Sequence, residues 1–134
     1  MPPAWPEDDY LLDLGKVVYS IASIEGMLLF DLPRMTERFV GLTPSALAGE
    51  TTTTIGKRLR HVALTIPNPA WSSYLARGAE ALEDLGPKRN AVLHARPATI
   101  DGEQRLHRWR LDPVEVMPIS KAHLVNLLDE IEAH

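Results

Sequence analysis

The strongest constraint on the fold is a long series of apolar residues near the N-terminus. From about residue 8 to residue 32 they recur in steps of three and four, as one face of an α-helix requires: Leu11, Leu14, Val18, Ile21, Leu28 and Leu32. Glu25 interrupts this series where the pattern calls for an apolar residue. Pro33 predicts the end of the helix or a sharp kink, because proline lacks a backbone N–H and clashes with the preceding turn.

Three more helices are predicted before the last third of the chain. Thr54 is suited to cap a helix that continues to about residue 65, and the prolines at 67 and 69 then stop it. The next helix is expected from about 70 to 85. Gly86 fits its C-terminal cap, and Pro87 fits the first position of a new short helix that ends near residue 95.

Residues 98–119 change in character. Asp101-Gly102 is a typical hairpin turn between two β-like segments, and Val114, Val116 and Ile119 predict a third extended segment. Ser120 is then expected to cap a last helix. These patterns predict an all-α fold, an up-and-down bundle of four to five helices with a small β-hairpin insertion (98–119) before the last helix. We expect a single domain over residues 1–134 with a loose N-terminal arm at 1–6.

Composition excludes several classes of protein. The chain has 134 residues, 45% of them hydrophobic, a net charge of −4 and no cysteine. A disulfide scaffold and a cysteine-ligated zinc site are therefore excluded. The sequence has no apolar run of eighteen residues and no signal-peptide pattern, so we expect a cytoplasmic protein without a membrane partner. Histidine spacing predicts no metal site, and no glycine-rich phosphate loop or cofactor is expected.

The polar stretch GPKRNAVLHARP at residues 86–97 carries the most chemistry. In a helix, Asn90 and His94 lie one turn apart on the same face, and the long side chain of Arg89 can reach them. Arginine is a forked cation suited to phosphate, and histidine can give or take a proton near neutral pH. If Pro87 opens a helix, Lys88 and Arg89 lie at its N-terminus, where the helix dipole favours an anion and disfavours cations.

A purely structural interpretation of this stretch is also open. Asn90 is equally suited to a turn and His94 to a helix interface. A pattern of arginine, a polar residue, three to five residues of any type and histidine arises by chance in roughly one chain in ten of this length. The pattern alone therefore leaves function and structure at about even odds.

Residues 89–94, Arg-Asn-Ala-Val-Leu-His, resemble the Arg-polar-x(3–5)-His signature of the HEPN superfamily, the higher eukaryote and prokaryote nucleotide-binding domains. The wider string ALEDLGPKRNAVLHA is similar to small bacterial members. Their long first helix often carries an acidic residue, a position that Glu25 matches. The resemblance is specific over about 80–95 and architectural over 8–32 and 120–134. Ala95 follows His94 where relatives often have glycine.

The resemblance implies a metal-independent endoribonuclease that acts as a homodimer on RNA, in a toxin or phage-defence role. It implies that His94 is the general acid or base, that Arg89 binds the scissile phosphate, and that Asn90 orients His94 or binds phosphate. It also implies a possible antitoxin partner protein. The alternative that it leaves open is a non-catalytic HEPN-like module that binds nucleotide or protein.

Further residues are candidates for substrate binding. Besides Lys88 they are Glu25, Arg96, Arg105 and Arg108. In the basic run 105–110, a strand would place Arg105, His107 and Trp109 on one face and Arg108 on the other. Such a ribbon suits single-stranded RNA, whereas the competing interpretation, which we favour, is a solvated edge strand protected by charge. A helix-turn-helix DNA binder over 54–85 is a weaker possibility, which the acidic net charge opposes.

Overall fold

The computed structural model describes residues 4–36, 41–43, 45–111 and 114–134, with backbone alone at 109–111, 114 and 115. Most described residues are helical, and the rest include one small antiparallel sheet. In chain order the elements are α1 (Asp8–Met35), α2 (Thr52–Ala63), α3 (Pro69–Leu93), β1 (Arg96–Ile100), β2 (Glu103–Leu111), β3 (Val114–Ile119) and α4 (Lys121–Ala133). The predicted helical character is confirmed. The predicted clean bundle is not, because a three-stranded sheet takes part in the fold.

The chain divides into two compact units, which we name by their content. The sheet unit comprises residues 1–19 and 88–133, and the helical unit comprises residues 20–87 together with 134. Helices α1 and α3 each contribute to both units, since the division falls within them. The predicted N-terminal arm lies partly outside the described residues, and residues 4–6 have no regular secondary structure.

The helical unit is held by a continuous apolar core. The core residues come from α1, α2, α3 and the segment between α1 and α2, and include Leu28, Leu32, Leu59, Leu75 and Leu82. Helix α2 begins three residues before the predicted start, because Thr51 and not Thr54 is its N-cap. The Thr51 Oγ1 accepts a hydrogen bond from the backbone N–H of Thr54 at 3.2 Å.

Helix α3 continues through Gly86-Pro87, so the predicted helix end and new helix start are wrong. Gly86 instead lies where the first turn of α2 comes close: an added Cβ would be 2.3 Å from Thr53 Oγ1 and 2.9 Å from Thr53 N. Buried side chains before and after the proline, Leu85 and Val92, keep this segment helical through packing. Pro33 is likewise inside α1, which extends to Met35.

The sheet has the strand order β1-β2-β3, and both pairs are antiparallel. Asp101 (φ 52°) and Gly102 (φ 77°) form the turn between β1 and β2, which confirms the predicted hairpin. The third extended segment is β3. Ser120 caps α4 as predicted, since its Oγ accepts a hydrogen bond from His123 N at 3.1 Å. In the described part of the chain, no helix is long and apolar enough to cross a membrane.

Candidate functional site

Asn90 and His94 lie one turn apart at the C-terminal end of α3. The backbone N–H of His94 donates to the carbonyl oxygen of Asn90 at 2.9 Å, which continues the helical hydrogen-bond pattern past Leu93, the last residue of α3. Asn90 is half-buried and His94 is exposed. The backbone thus places His94 one turn after Asn90, directly beyond the last residue of the helix.

The position of this motif on its helix differs from the prediction. Lys88 and Arg89 lie well inside a 25-residue helix and not in the first turn of a new one. Backbone N–H groups at these positions are hydrogen-bonded within the helix, so they offer no anion site. The nearby helix end is a C-terminus, whose partial negative charge does not favour an anion. Any phosphate bound here has to be held by side chains.

Arg89 is the available cation of the motif. Its side chain is half-buried, and its Nε is fully buried without a hydrogen-bond partner. Within the described part of the chain, no ion pair engages Arg89 or His94. An arginine without an ion pair, five residues before an exposed histidine, offers a phosphate-binding cation and a proton-transfer group at the same end of a helix.

Lys88, by contrast, is engaged in an ion pair. Its Nζ lies 2.8 Å from Oε1 of Glu130 on α4, within the sheet unit. This contact fixes the side chain towards α4, although lysine and glutamate are both partly exposed. No local sequence pattern predicts this pair, because Glu130 lies 42 residues beyond Lys88 in the chain.

Arg105 is also paired with a carboxylate, to which it donates two hydrogen bonds. Its two terminal nitrogens donate to the two carboxylate oxygens of Glu7, at 2.8 and 2.6 Å. Its side chain is only 11% exposed, and its guanidinium lies over the Tyr10 ring, 4.6 Å from the ring centre. The hydrogen bonds from Arg105 lower the pKa of Glu7 to about 2. The pair is thus ionic at neutral pH, and Arg105 has little capacity left for a substrate phosphate.

The other predicted substrate-binding residues lie apart from these ion pairs. Arg96 is exposed on β1, and Arg108 is exposed on β2. Glu25 belongs to the helical unit, where its Oε1 accepts a hydrogen bond from Thr52 Oγ1 at 2.5 Å. The carboxylate that interrupts the apolar face of α1 therefore has a polar partner that sequence spacing did not indicate.

The basic run on β2 does not form an edge strand, which corrects the interpretation favoured from sequence. Strand β2 is the central strand, because β1 and β3 pair with its two sides. The predicted division of faces is confirmed where side chains are described: His107 is buried at 2% exposure, whereas Arg108 is exposed. Both ring nitrogens of His107 lack a hydrogen-bond partner. The face with Arg105 and His107 is thus covered and not open to RNA.

The described residues contain no group of three or more His, Asp or Glu side chains that could hold a metal ion. Comparisons of the chain with protein-family models, with curated proteins and with solved structures found no match. The likeness to the HEPN superfamily thus depends on the motif at 89–94.

Proposed function

We propose that this chain is a metal-independent endoribonuclease of the HEPN type, with Arg89, Asn90 and His94 as its reactive residues. One observation carries the proposal. At the end of α3 the arginine and histidine of the motif are unpaired among the described residues, while the neighbouring candidates Lys88 and Arg105 are held by carboxylates. Arg89 and His94, which the chemistry requires, therefore make no ion pair with a carboxylate of the described residues.

The reaction needs a proton acceptor, a proton donor and a cation at the phosphate. His94 takes the proton of a ribose 2′-OH, and the 2′-oxygen attacks the adjacent phosphorus. The bond from phosphorus to the 5′-oxygen breaks, which leaves a 2′,3′-cyclic phosphate and a 5′-hydroxyl. Arg89 stabilises the negative charge that grows on the phosphoryl oxygens. Asn90, one turn before His94, orients the imidazole or donates to a phosphate oxygen.

A homodimer completes this scheme. The departing 5′-oxygen must receive a proton, and one neutral imidazole cannot both accept and donate in the same step. A protonated imidazole from the partner subunit's His94 fulfils the second role if the two α3 ends face each other. The exposed basic residues Arg96 and Arg108 are then the candidates for further contacts with RNA phosphates. A cytoplasmic toxin or phage-defence effector with an antitoxin partner is the cellular role that fits this activity.

The test is cleavage of structured and single-stranded RNA by the purified chain in the presence of EDTA. We expect wild type to cleave RNA and not DNA of the same sequence, and to leave 2′,3′-cyclic phosphate ends. His94→Ala and Arg89→Ala should each lower the rate by about 10²–10⁴-fold. His123→Ala and Arg58→Ala are matched controls, since both residues are exposed and lie on other helices. Equal cleavage by wild type and His94→Ala would contradict the proposal.

One observation favours a second candidate, a non-catalytic binding module. The Nε of Arg89 is buried, so part of this guanidinium lies within the fold and contributes to packing. A binding module would retain RNA or nucleotide affinity without turnover. Equilibrium binding of a fully 2′-O-methylated RNA, which lacks the nucleophile, separates the two: tight binding of this RNA with no cleavage of unmodified RNA identifies the binding module.

A further inference from the structure

A pocket of about 220 Å³ lies within the sheet unit, beside the first turns of α1. Residues 4–6, Pro97 of β1 and residues of β2 form its other sides. None of the motif residues at 89–94 takes part in it, so it is separate from the candidate ribonuclease site. Its walls are mostly apolar and include Trp5, Pro6, Leu11, Leu14, Pro97 and Leu106.

The polar residues of this pocket are already satisfied by the protein. The Tyr10 hydroxyl donates to Ile119 O and accepts from Leu106 N, at 2.7 and 3.1 Å. The Gln104 amide donates to Thr99 Oγ1. Both terminal nitrogens of Arg105 are bonded to Glu7. The polar groups therefore face other protein atoms, and what the pocket offers a ligand is chiefly apolar surface.

The charge of Arg105, which lines the pocket, is balanced by Glu7. The pKa of Glu7 is lowered to about 2 by its hydrogen bonds from Arg105. The two opposite charges consequently cancel at neutral pH, and neither sign of ligand charge is favoured. An anion would have to displace a carboxylate that holds both arms of the guanidinium.

We infer that this pocket binds a small neutral apolar molecule, of about the size of a two-ring aromatic. An apolar cavity of roughly 150 Å³ is enough to admit benzene, and the space here is larger. Two aromatic side chains line the pocket: Trp5, which is 68% exposed, and Tyr10, which is buried. Aromatic rings prefer edge or offset contacts with such side chains, which favours an aromatic ligand over an aliphatic one.

Indole is a suitable probe because it is neutral, apolar and water-soluble. The full chain, labelled with ¹³C on leucine methyl groups, is titrated with indole and followed by NMR. We expect saturable shifts at Leu11, Leu14 and Leu106, and little change at Leu64, which lies on the exposed end of α2. Indole-3-acetate is the charged comparison, and we expect it to bind at least tenfold more weakly.

Two matched variants locate the effect. Leu11→Trp fills the pocket, whereas Leu12→Trp alters the adjacent exposed residue of the same helix, which does not line it. We expect Leu11→Trp to weaken indole binding at least tenfold and Leu12→Trp to leave it unchanged, with circular dichroism confirming that both variants fold. If Leu11→Trp does not fold, the wild-type shift map decides alone.

Three results would overturn the inference. The first is the absence of saturable shifts up to the solubility limit of indole, and the second is shifts that cluster away from the pocket. The third is sedimentation showing a dimer whose dissociation is required before indole binds, because the occupant would then be a side chain of a second copy.

Discussion

The hydroxyl of Tyr10 donates a hydrogen bond to the carbonyl oxygen of Ile119, 2.7 Å away and 109 residues further along the chain. The same hydroxyl accepts a hydrogen bond from the backbone N–H of Leu106 at 3.1 Å. Leu106 and Ile119 are register partners in β2 and β3. The phenol therefore stands between two strands, and its oxygen bridges a backbone donor and a backbone acceptor.

Tyr10→Phe tests the value of this bridge. Removal of the hydroxyl leaves a buried N–H and a buried C=O without their partner, which typically costs about 1–3 kcal/mol. We expect urea unfolding to show a loss of that size. Tyr19→Phe is the matched control, since the Tyr19 side chain is 76% exposed and should change stability by less than about 0.5 kcal/mol. An equal effect of the two variants would contradict the bridging role.

The Glu7–Arg105 pair predicts a specific acid sensitivity. Hydrogen bonds from Arg105 lower the pKa of Glu7 from 4.5 to about 2 in the folded chain. The folded state therefore holds its proton less tightly than the unfolded state. The pair stabilises the fold fully above about pH 4.5, and this contribution is lost as the pH falls towards 2.

Glu7→Gln should remove this part of the pH dependence. We expect its melting temperature to lie below that of wild type at pH 6 and the difference to shrink between pH 4.5 and 2. Glu132→Gln, an exposed glutamate on α4, serves as control and should follow wild type. A difference between wild type and Glu7→Gln that stays constant with pH would argue against the ion pair.

Gly86→Ala tests the close approach of α2 to α3. Alanine has the higher helix propensity, by about 1 kcal/mol, but its Cβ would lie 2.9 Å from the backbone nitrogen of Thr53. Overpacking of this kind costs about 1–3 kcal/mol, so we expect a net loss of stability in chemical denaturation. Gly26→Ala is the control: nothing lies within 4 Å of its added Cβ, and it should stabilise the chain by about 0.5–1 kcal/mol.

Pro87→Ala should stabilise the chain. Proline within a helix removes one backbone hydrogen bond and crowds the preceding turn, a cost of about 3 kcal/mol. Pro87 is exposed, so alanine sacrifices little packing, and we expect a gain of about 1–3 kcal/mol in the free energy of unfolding. Pro69 is the first residue of α3, where the missing N–H has no intrahelical acceptor, so Pro69→Ala should give no gain.

Asn90 substitutions test the electrostatics of the proposed ribonuclease. Asn90→Ala should reduce RNA cleavage about tenfold, whereas Asn90→Asp should reduce it further, because a carboxylate beside Arg89 repels the phosphate. Asn126→Asp adds the same charge at an exposed position of α4 and should have little effect. A cleavage rate that is higher in Asn90→Asp than in Asn90→Ala would count against phosphate binding at this helix end.

Local signals were sufficient for the elements that local chemistry determines. The Asp101-Gly102 turn, the Ser120 cap and the helical spacing of Asn90 and His94 all follow from residues within a few positions of one another. Gly86 shows where such reasoning fails. A glycine that ends a helix and a glycine that admits a neighbouring helix look the same in a single sequence, and only the contact with Thr53 separates them.

The candidate site likewise has features that the sequence could predict and features that it could not. The motif at 89–94 was recognisable because its residues are close in sequence. The commitment of Arg105 to Glu7 was not, since the two are 98 residues apart and neither has a spacing that indicates the other. The Lys88–Glu130 pair was not recognisable either, because its two residues are 42 positions apart. Which cations remain available to a substrate is therefore decided by tertiary contacts and not by local pattern.

The bridge made by Tyr10 also has a consequence for the order of folding during synthesis. Residue 10 leaves the ribosome well before its acceptor at Ile119, which is 109 residues further along the chain. The helical unit, apart from His134, is continuous in sequence and is complete once residue 87 has emerged. Tyr10 and its apolar neighbours in the first turns of α1 therefore stay uncovered until β3 has been translated.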